Sequence, residues 1–127
     1  MKNIFKILSV SFIVLTVSVF YSCKKDNASG THKVKFKAET SSDAKLSAVA
    51  YTNESGNVTN TSSLNSSSFA SSELTIPSSV SIITFSANGN GASAGSTLKV
   101  QIYVDGNLVK ENTGTGTVLT ASTTYSF

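Results

Sequence analysis

Residues 33–127 predict an all-β fold, an antiparallel, immunoglobulin-like β-sandwich of about seven strands. Three observations point to it. Apolar residues alternate with polar ones at period two, most strictly in Leu98, Val100, Ile102 and Val104. Clusters of Gly, Asn, Ser and Asp interrupt these runs at a spacing of roughly 8 to 12 residues. No helical periodicity follows Cys23. A small closed barrel is the second architecture that fits. A Cys–Trp–Cys core is absent, which excludes an antibody-type domain.

The N-terminal segment obeys different rules. Lys2 and Lys6 precede an apolar run of 15 residues, Ile7 to Tyr21, broken only by Ser and Thr. As a helix this run would span roughly 22 Å at ~1.5 Å per residue, short of the ~30 Å hydrocarbon core. A short apolar stretch with positive charge on its N-terminal side is a signal-peptide pattern, assigned to residues 1–22. Ser22 places a small residue directly before Cys23, the single cysteine of the chain. One cysteine permits no internal disulfide, so an exported domain of this size rests on its core and its hydrogen-bonded ladder.

Phe20-Tyr21-Ser22-Cys23-Lys24-Lys25-Asp26 resembles a bacterial lipoprotein signal with its lipobox, in the looser form found in Bacteroidota. The resemblance implies cleavage between Ser22 and Cys23 and lipidation of the Cys23 thiol. It also implies a membrane partner engaged through the lipid anchor. Several acyl chains would hold the protein firmly. Lys24, rather than Asp, follows the cysteine, so the inner-membrane retention signal of the enterobacterial kind is missing. The outer membrane is the expected address.

Residues 23–32 read as a lipidated polar tether, with His32 as a bystander in it. The sandwich then begins. Lys33 to Glu39 sets Val34, Phe36 and Ala38 on one face and charges on the other, the pattern of a half-buried strand whose charged face suits a sheet edge. Lys33, Lys35 and Lys37 also form a possible basic binding stripe. Lys45 to Thr52 and Val58 to Thr61 read as strands around a Glu54–Asn57 turn. Phe69 to Ile76 reads as one strand closed by Pro77, which cannot donate to a ladder. Val80 to Ala87, rich in β-branched and aromatic residues, should be central. Asn88 to Ser96 reads as a Gly-rich loop. After Leu98 to Val104, Asp105-Gly106 signals a tight hairpin that returns through Asn107 to Asn112. Gly114 and Gly116 should break the ladder before a last strand or strands, Thr117 to Leu119 and Thr123 to Phe127.

Several functions are argued against by composition. The net charge of +3 includes Lys2 and Lys6; without them eight lysines face seven acids. The chain has no arginine, the residue that reads phosphate with a planar fork. Nothing therefore predicts a nucleic-acid partner. The acids are scattered and the one histidine sits in the tether, so no spacing predicts metal ligation, a cofactor or general acid–base catalysis. A non-enzymatic protein is expected. Tyr51 and Tyr103 fall opposite the small or aliphatic faces of their strands. If exposed on one sheet, they are candidate ligand contacts that could stack on a sugar.

Residues 99–118, KVQIYVDGNLVKENTGTGTV, resemble the closing hairpin of the MmpS-type domain. Val34 to Ala38, Val49 to Gly56 and Leu74 to Pro77 resemble its opening strand, its first hairpin and its Leu-Pro step. The resemblance spans residues 33–127 and implies a compact β-sandwich outside a membrane, acting as accessory partner to an RND-type (MmpL) transporter. The cysteine pair of many members is absent here. A surface structural, adhesive or glycan-binding lipoprotein is the alternative expectation.

Overall fold

The computed structural model describes residues 30–127. The expected signal peptide, Ser22, Cys23 and the expected tether up to residue 29 lie outside the described residues. Among those described, no helix is long and apolar enough to cross a membrane.

The described residues form nine strands in two antiparallel sheets: β1 (Thr31–Thr40), β2 (Ala44–Thr52), β3 (Val58–Thr61), β4 (Ser68–Ala70), β5 (Leu74–Pro77), β6 (Ile82–Gly91), β7 (Thr97–Val104), β8 (Asn107–Thr115) and β9 (Val118–Ser126). One sheet runs β4-β1-β7-β8, with β5 also paired to β1; the other runs β3-β2-β6-β9. The comparison with immunoglobulin domains holds for two facing antiparallel sheets and fails for the connectivity. The first two strands of a constant-type domain share a sheet, whereas β1 and β2 lie in opposite ones.

Nine strands replace the expected seven or so partly because residues 69–76 are not one strand. Chain pairing to β1 is interrupted at Ser71–Glu73, leaving β4 on Lys37–Glu39 and β5 on Thr31–Val34. Ser71 bridges the gap. Its backbone N–H donates to the Phe36 carbonyl at 2.9 Å, and its hydroxyl accepts from the Phe36 N–H at 3.0 Å. A buried polar backbone is thereby satisfied where regular pairing stops.

β1 is thus an interior strand, flanked by β7 and by the β4–β5 pair, and not the edge its charges suggested. Outward charges report solvent above the sheet, not a missing neighbour beside it. The strand also starts two residues earlier than expected and takes in His32, which pairs with Ile76.

The first part of the expected Gly-rich loop is strand, since β6 continues through Asn88, Gly89, Asn90 and Gly91; the connection proper runs from Ala92 to Ser96. Gly89 faces inward in that run, and a Cβ there would collide with the Lys45 carbonyl oxygen of β2. Gly114 likewise remains in the ladder, opposite Leu98. A side chain at Gly114 would overlap the Thr120 carbonyl oxygen of β9. Asn112 of β8 donates to the Ser122 carbonyl of β9 at 2.8 Å. These contacts bring the edge strands of the two sheets together and close one side of the sandwich.

The core is the inward set of both sheets: Val34, Phe36, Ala38, Leu98, Val100 and Ile102 meet Leu46, Val49, Ile83, Phe85, Ala87 and Leu119. Phe36 and Phe85 contact across the sheets, with ring centroids 5.2 Å apart. Tyr51 and Phe69 complete a closed circuit of four rings.

Gly114→Ala is expected to destabilise the domain by about 1–3 kcal/mol through overpacking against fixed backbone. Gly95→Ala, whose added carbon meets only the Ser93 hydroxyl at 3.8 Å, should be close to neutral. Urea unfolding of the two variants tests the seam, and equal midpoints would refute it. Phe85→Ala, in the ring circuit, should cost about 3–5 kcal/mol.

Candidate binding site

The outer face of the five-stranded sheet carries the most chemically distinctive arrangement on the domain. β1 alternates strictly, so with Val34 and Phe36 fully buried, Lys33, Lys35 and Lys37 all project outward. β7 lies beside them in register, with Lys35 opposite Tyr103 and Lys37 opposite Gln101. The interruption between β4 and β5 sets Glu73 on the other flank, and the β7–β8 turn adds Gly106. Together Lys33, Lys35, Lys37, Glu73, Tyr103 and Gly106 line an open cleft of about 250 Å³.

Each cation is placed differently. The Lys33 ammonium donates to the Thr75 hydroxyl at 2.7 Å. The Lys37 ammonium lies 3.8 Å from a Glu39 carboxylate oxygen and 5.8 Å from the centre of the Tyr103 ring. That second distance is within the range of a cation–π contact. Among the described residues, Lys35 has no carboxylate within ion-pair distance. The half-buried Tyr103 is held from behind: its hydroxyl reaches Gln101 Oε1 at 3.4 Å, and Gln101 Nε2 donates to Glu111 Oε2 at 2.7 Å. Glu111 stands opposite Gln101, as an exposed strand residue.

The two tyrosines are not brought together. Tyr103 lines the cleft, while Tyr51 belongs to the other sheet and points inward against Phe36. A bulge explains this. Between Leu46 and Ala48 the β2–β6 register shifts, leaving Ser47 as the extra residue. Strict alternation from Leu46 would turn Tyr51 out. The extra residue reverses the parity, so Val49 and Tyr51 both face the core. The stacking pair expected from the sequence therefore reduces to Tyr103. The lysine stripe was visible in the sequence; Glu73 was not, because residues 69–76 read as unbroken strand.

Two further polar clusters sit at the ends of the sandwich, the first of them adjoining the cleft at Lys33 and Gly106. At the mouth of the β7–β8 turn, Asp105 accepts from His32 Nδ1 and from the Lys33 N–H, both at 2.9 Å, and His32 stacks on Phe127 with centroids 4.4 Å apart. The His32 hydrogen bond, followed by that of the Lys33 backbone, holds the Asp105 carboxyl below its ordinary value. His32 is therefore a structural partner of the hairpin, not a tether residue.

At the opposite end, Asp43 gathers three serines. Its carboxylate accepts from Ser41 at 2.5 Å, Ser96 at 2.6 Å and Ser93 at 3.2 Å. The fully buried Ser96 hydroxyl also accepts from the Ser93 N–H. This cluster ties the β1–β2 turn to the β6–β7 loop, and its donors are all the protein's own. Ser41, then Ser96, lowers the Asp43 carboxyl from its ordinary value of 3.8. Among the described residues, no group of three His, Cys, Asp or Glu side chains could hold a metal ion.

Because the folded-state value of Asp43 is depressed, its contribution to stability is complete above the unfolded-state value and is lost as pH falls through the folded one. Asp43→Asn should lower the urea midpoint near neutral pH and narrow its drop on acidification to about pH 3. Parallel pH profiles for the two proteins would show that the serines do not favour the ionised form.

No family model and no curated protein matches this chain, so the cleft and its side chains carry the functional reading.

Proposed function

We propose that this protein is a non-enzymatic lipoprotein of the cell envelope, held at the outer membrane through Cys23, and that it binds glycan in the cleft of the five-stranded sheet. The observation that carries the reading is the gathering of three lysines, one glutamate and one tyrosine around a single open concavity. Each part suits a sugar. A tyrosine face packs on the C–H face of a pyranose, with the phenol left polar at its edge. Glu73 accepts from hydroxyl groups, and Lys33, Lys35 and Lys37 donate to ring oxygens, hydroxyls or acidic substituents. The lysines outnumber the carboxylate in the lining, which favours an acidic sugar over a neutral one.

The cleft also separates this reading from that of a transporter accessory. A stable contact with a folded partner buries about 800 Å² on each side and centres on apolar or aromatic anchors. The concavity here is compact, with one half-buried ring among cations. That scale suits a sugar unit better than a subunit interface. The RND-exporter role implied by the MmpS resemblance would use a surface other than the cleft.

Titration of the mature protein with uronate oligosaccharides, set against neutral ones of equal length, tests the proposal. Binding should favour the acidic set and weaken with salt. Tyr103→Ala and Lys35→Ala should each weaken it by about tenfold, the effect of losing one good contact. Unchanged affinity in both variants would remove the cleft from consideration. Independently, Cys23→Ser should release the protein from the membrane fraction while leaving the β-domain folded, as judged by circular dichroism. Full retention of that variant in the membrane would overturn the lipid anchor.

A further inference from the structure

The two ends of the sandwich differ in kind. β1 starts at Thr31, so the end that receives the chain from Cys23 contains the start of β1, the β2–β3 turn, the β5–β6 connection, the β7–β8 turn and the end of β9. The contacts agree. Glu54 accepts from the Thr75 N–H at 2.7 Å, Asp105 N–H donates to the Lys33 carbonyl at 2.7 Å, and Phe127 N–H donates to the Ser81 carbonyl at 3.0 Å.

Five large hydrophobic residues are exposed on the described domain. Four of them lie at this end: Val58 at 64%, Ile82 at 53%, Leu108 at 48% and Phe127 at 39%. Only Val118, at 78%, lies at the other. Single exposed apolar residues are ordinary on a protein surface; their gathering at one end is not. The half-buried Val80, against Gly56, extends the apolar rim beside the β2–β3 turn. The acids of this end, Glu54 and Asp105, are both turned to the domain's own N–H and imidazole groups. The intervening turn residues Ser55, Asn57, Ser78, Ser79 and Asn107 carry no charge.

We infer that this end of the sandwich rests on the lipid bilayer, with Val58, Ile82 and Phe127 reaching the boundary between headgroups and acyl chains. The inference rests on the lipid anchor proposed above and adds an orientation to it. Six residues lie between Cys23 and Gly30, at most ~25 Å of extended chain from one to the other, so this end cannot retreat far from the surface. Bulky apolar side chains beside turns whose two acids, Glu54 and Asp105, are hydrogen-bonded within the domain are what such a surface accepts at its interface. The geometry then places the cleft on the flank of the domain. Lys33 and Gly106 lie on its membrane side and Lys37 lies farther out, so the cleft opens sideways along the membrane and not into it.

The chain contains no tryptophan, so a single introduced one is an unambiguous reporter. Lipidated Ile82→Trp and Val58→Trp proteins, and Val118→Trp as the far-end control, would be reconstituted into vesicles of phosphatidylethanolamine and phosphatidylglycerol with brominated acyl chains. All three positions are exposed, so the substitutions should leave the fold intact, which circular dichroism checks. The expected result is loss of emission and a blue shift at positions 82 and 58, with neither at 118. Equal quenching at all three positions, or none at any, in protein that floats with the vesicles overturns the orientation and leaves the anchor standing. Protein that does not float with the vesicles overturns the anchor and the orientation with it.

Discussion

Four aromatic rings hold the two sheets in one relation to each other. Phe36 of β1 and Phe69 of β4 come from one sheet; Tyr51 of β2 and Phe85 of β6 come from the other. Each ring contacts two rings of the opposite sheet, with centroids 5.2 to 6.3 Å apart. Tilted pairs at such distances contribute about 0.5–1.5 kcal/mol each beyond the area they bury. More important is their arrangement. A change in the position of any one ring disturbs both of its partners across the sandwich. The strands carrying them therefore cannot slide independently, and everything on the outer faces inherits that fixed register.

β1 shows how the inner and outer faces are joined. Val34, Phe36 and Ala38 lie at the centre of the core, and the alternation that buries them projects Lys33, Lys35 and Lys37 to the other side. Moving the strand by one residue would bury the lysines and expose Phe36, a change strongly opposed by the cost of unpaired buried charge. β7 is fixed in the same way by Leu98, Val100, Ile102 and Val104. Tyr103 thus meets Lys35 because both strands obey the core, and the cleft needs no special device to assemble it. Its far wall does: Glu73 is available only because β4 and β5 separate, and Ser71 supplies the hydrogen bonds that make the separation tolerable.

The ends of the sandwich are secured by polar contacts, not by size of core. Asp43 with Ser41, Ser93 and Ser96 fastens one end; Asp105 with His32 and Lys33, and Glu54 with Thr75, fasten the other. Along the closed side, Gly114 and Asn112 let β8 lie against β9. With a single cysteine and a modest core, the domain replaces disulfides with these local ties.

The sequence by itself determined the all-β class, the faces of β1 and β7, the Asp105-Gly106 hairpin and the lysine stripe. Each is written in consecutive residues, as a period of two or a turn pair whose backbone preference acts locally. Tertiary structure decided the rest. Ser47 became a bulge only because β2 had to match β6, and that reversed the side on which Tyr51 lies. Gly89, Gly91 and Gly114 looked like loop or breakers, yet stay in strands, because a glycine's reason for being in a sheet is a neighbouring backbone distant in sequence. β1 became an interior strand, and the 69–76 segment divided, through pairings that alternation cannot express. The resemblance of the stretch around Cys23 to a lipobox belongs to the sequence alone. The cleft is the product of both levels: the lysines are local, while their meeting with Tyr103 and Glu73 depends on which strands the core brings side by side.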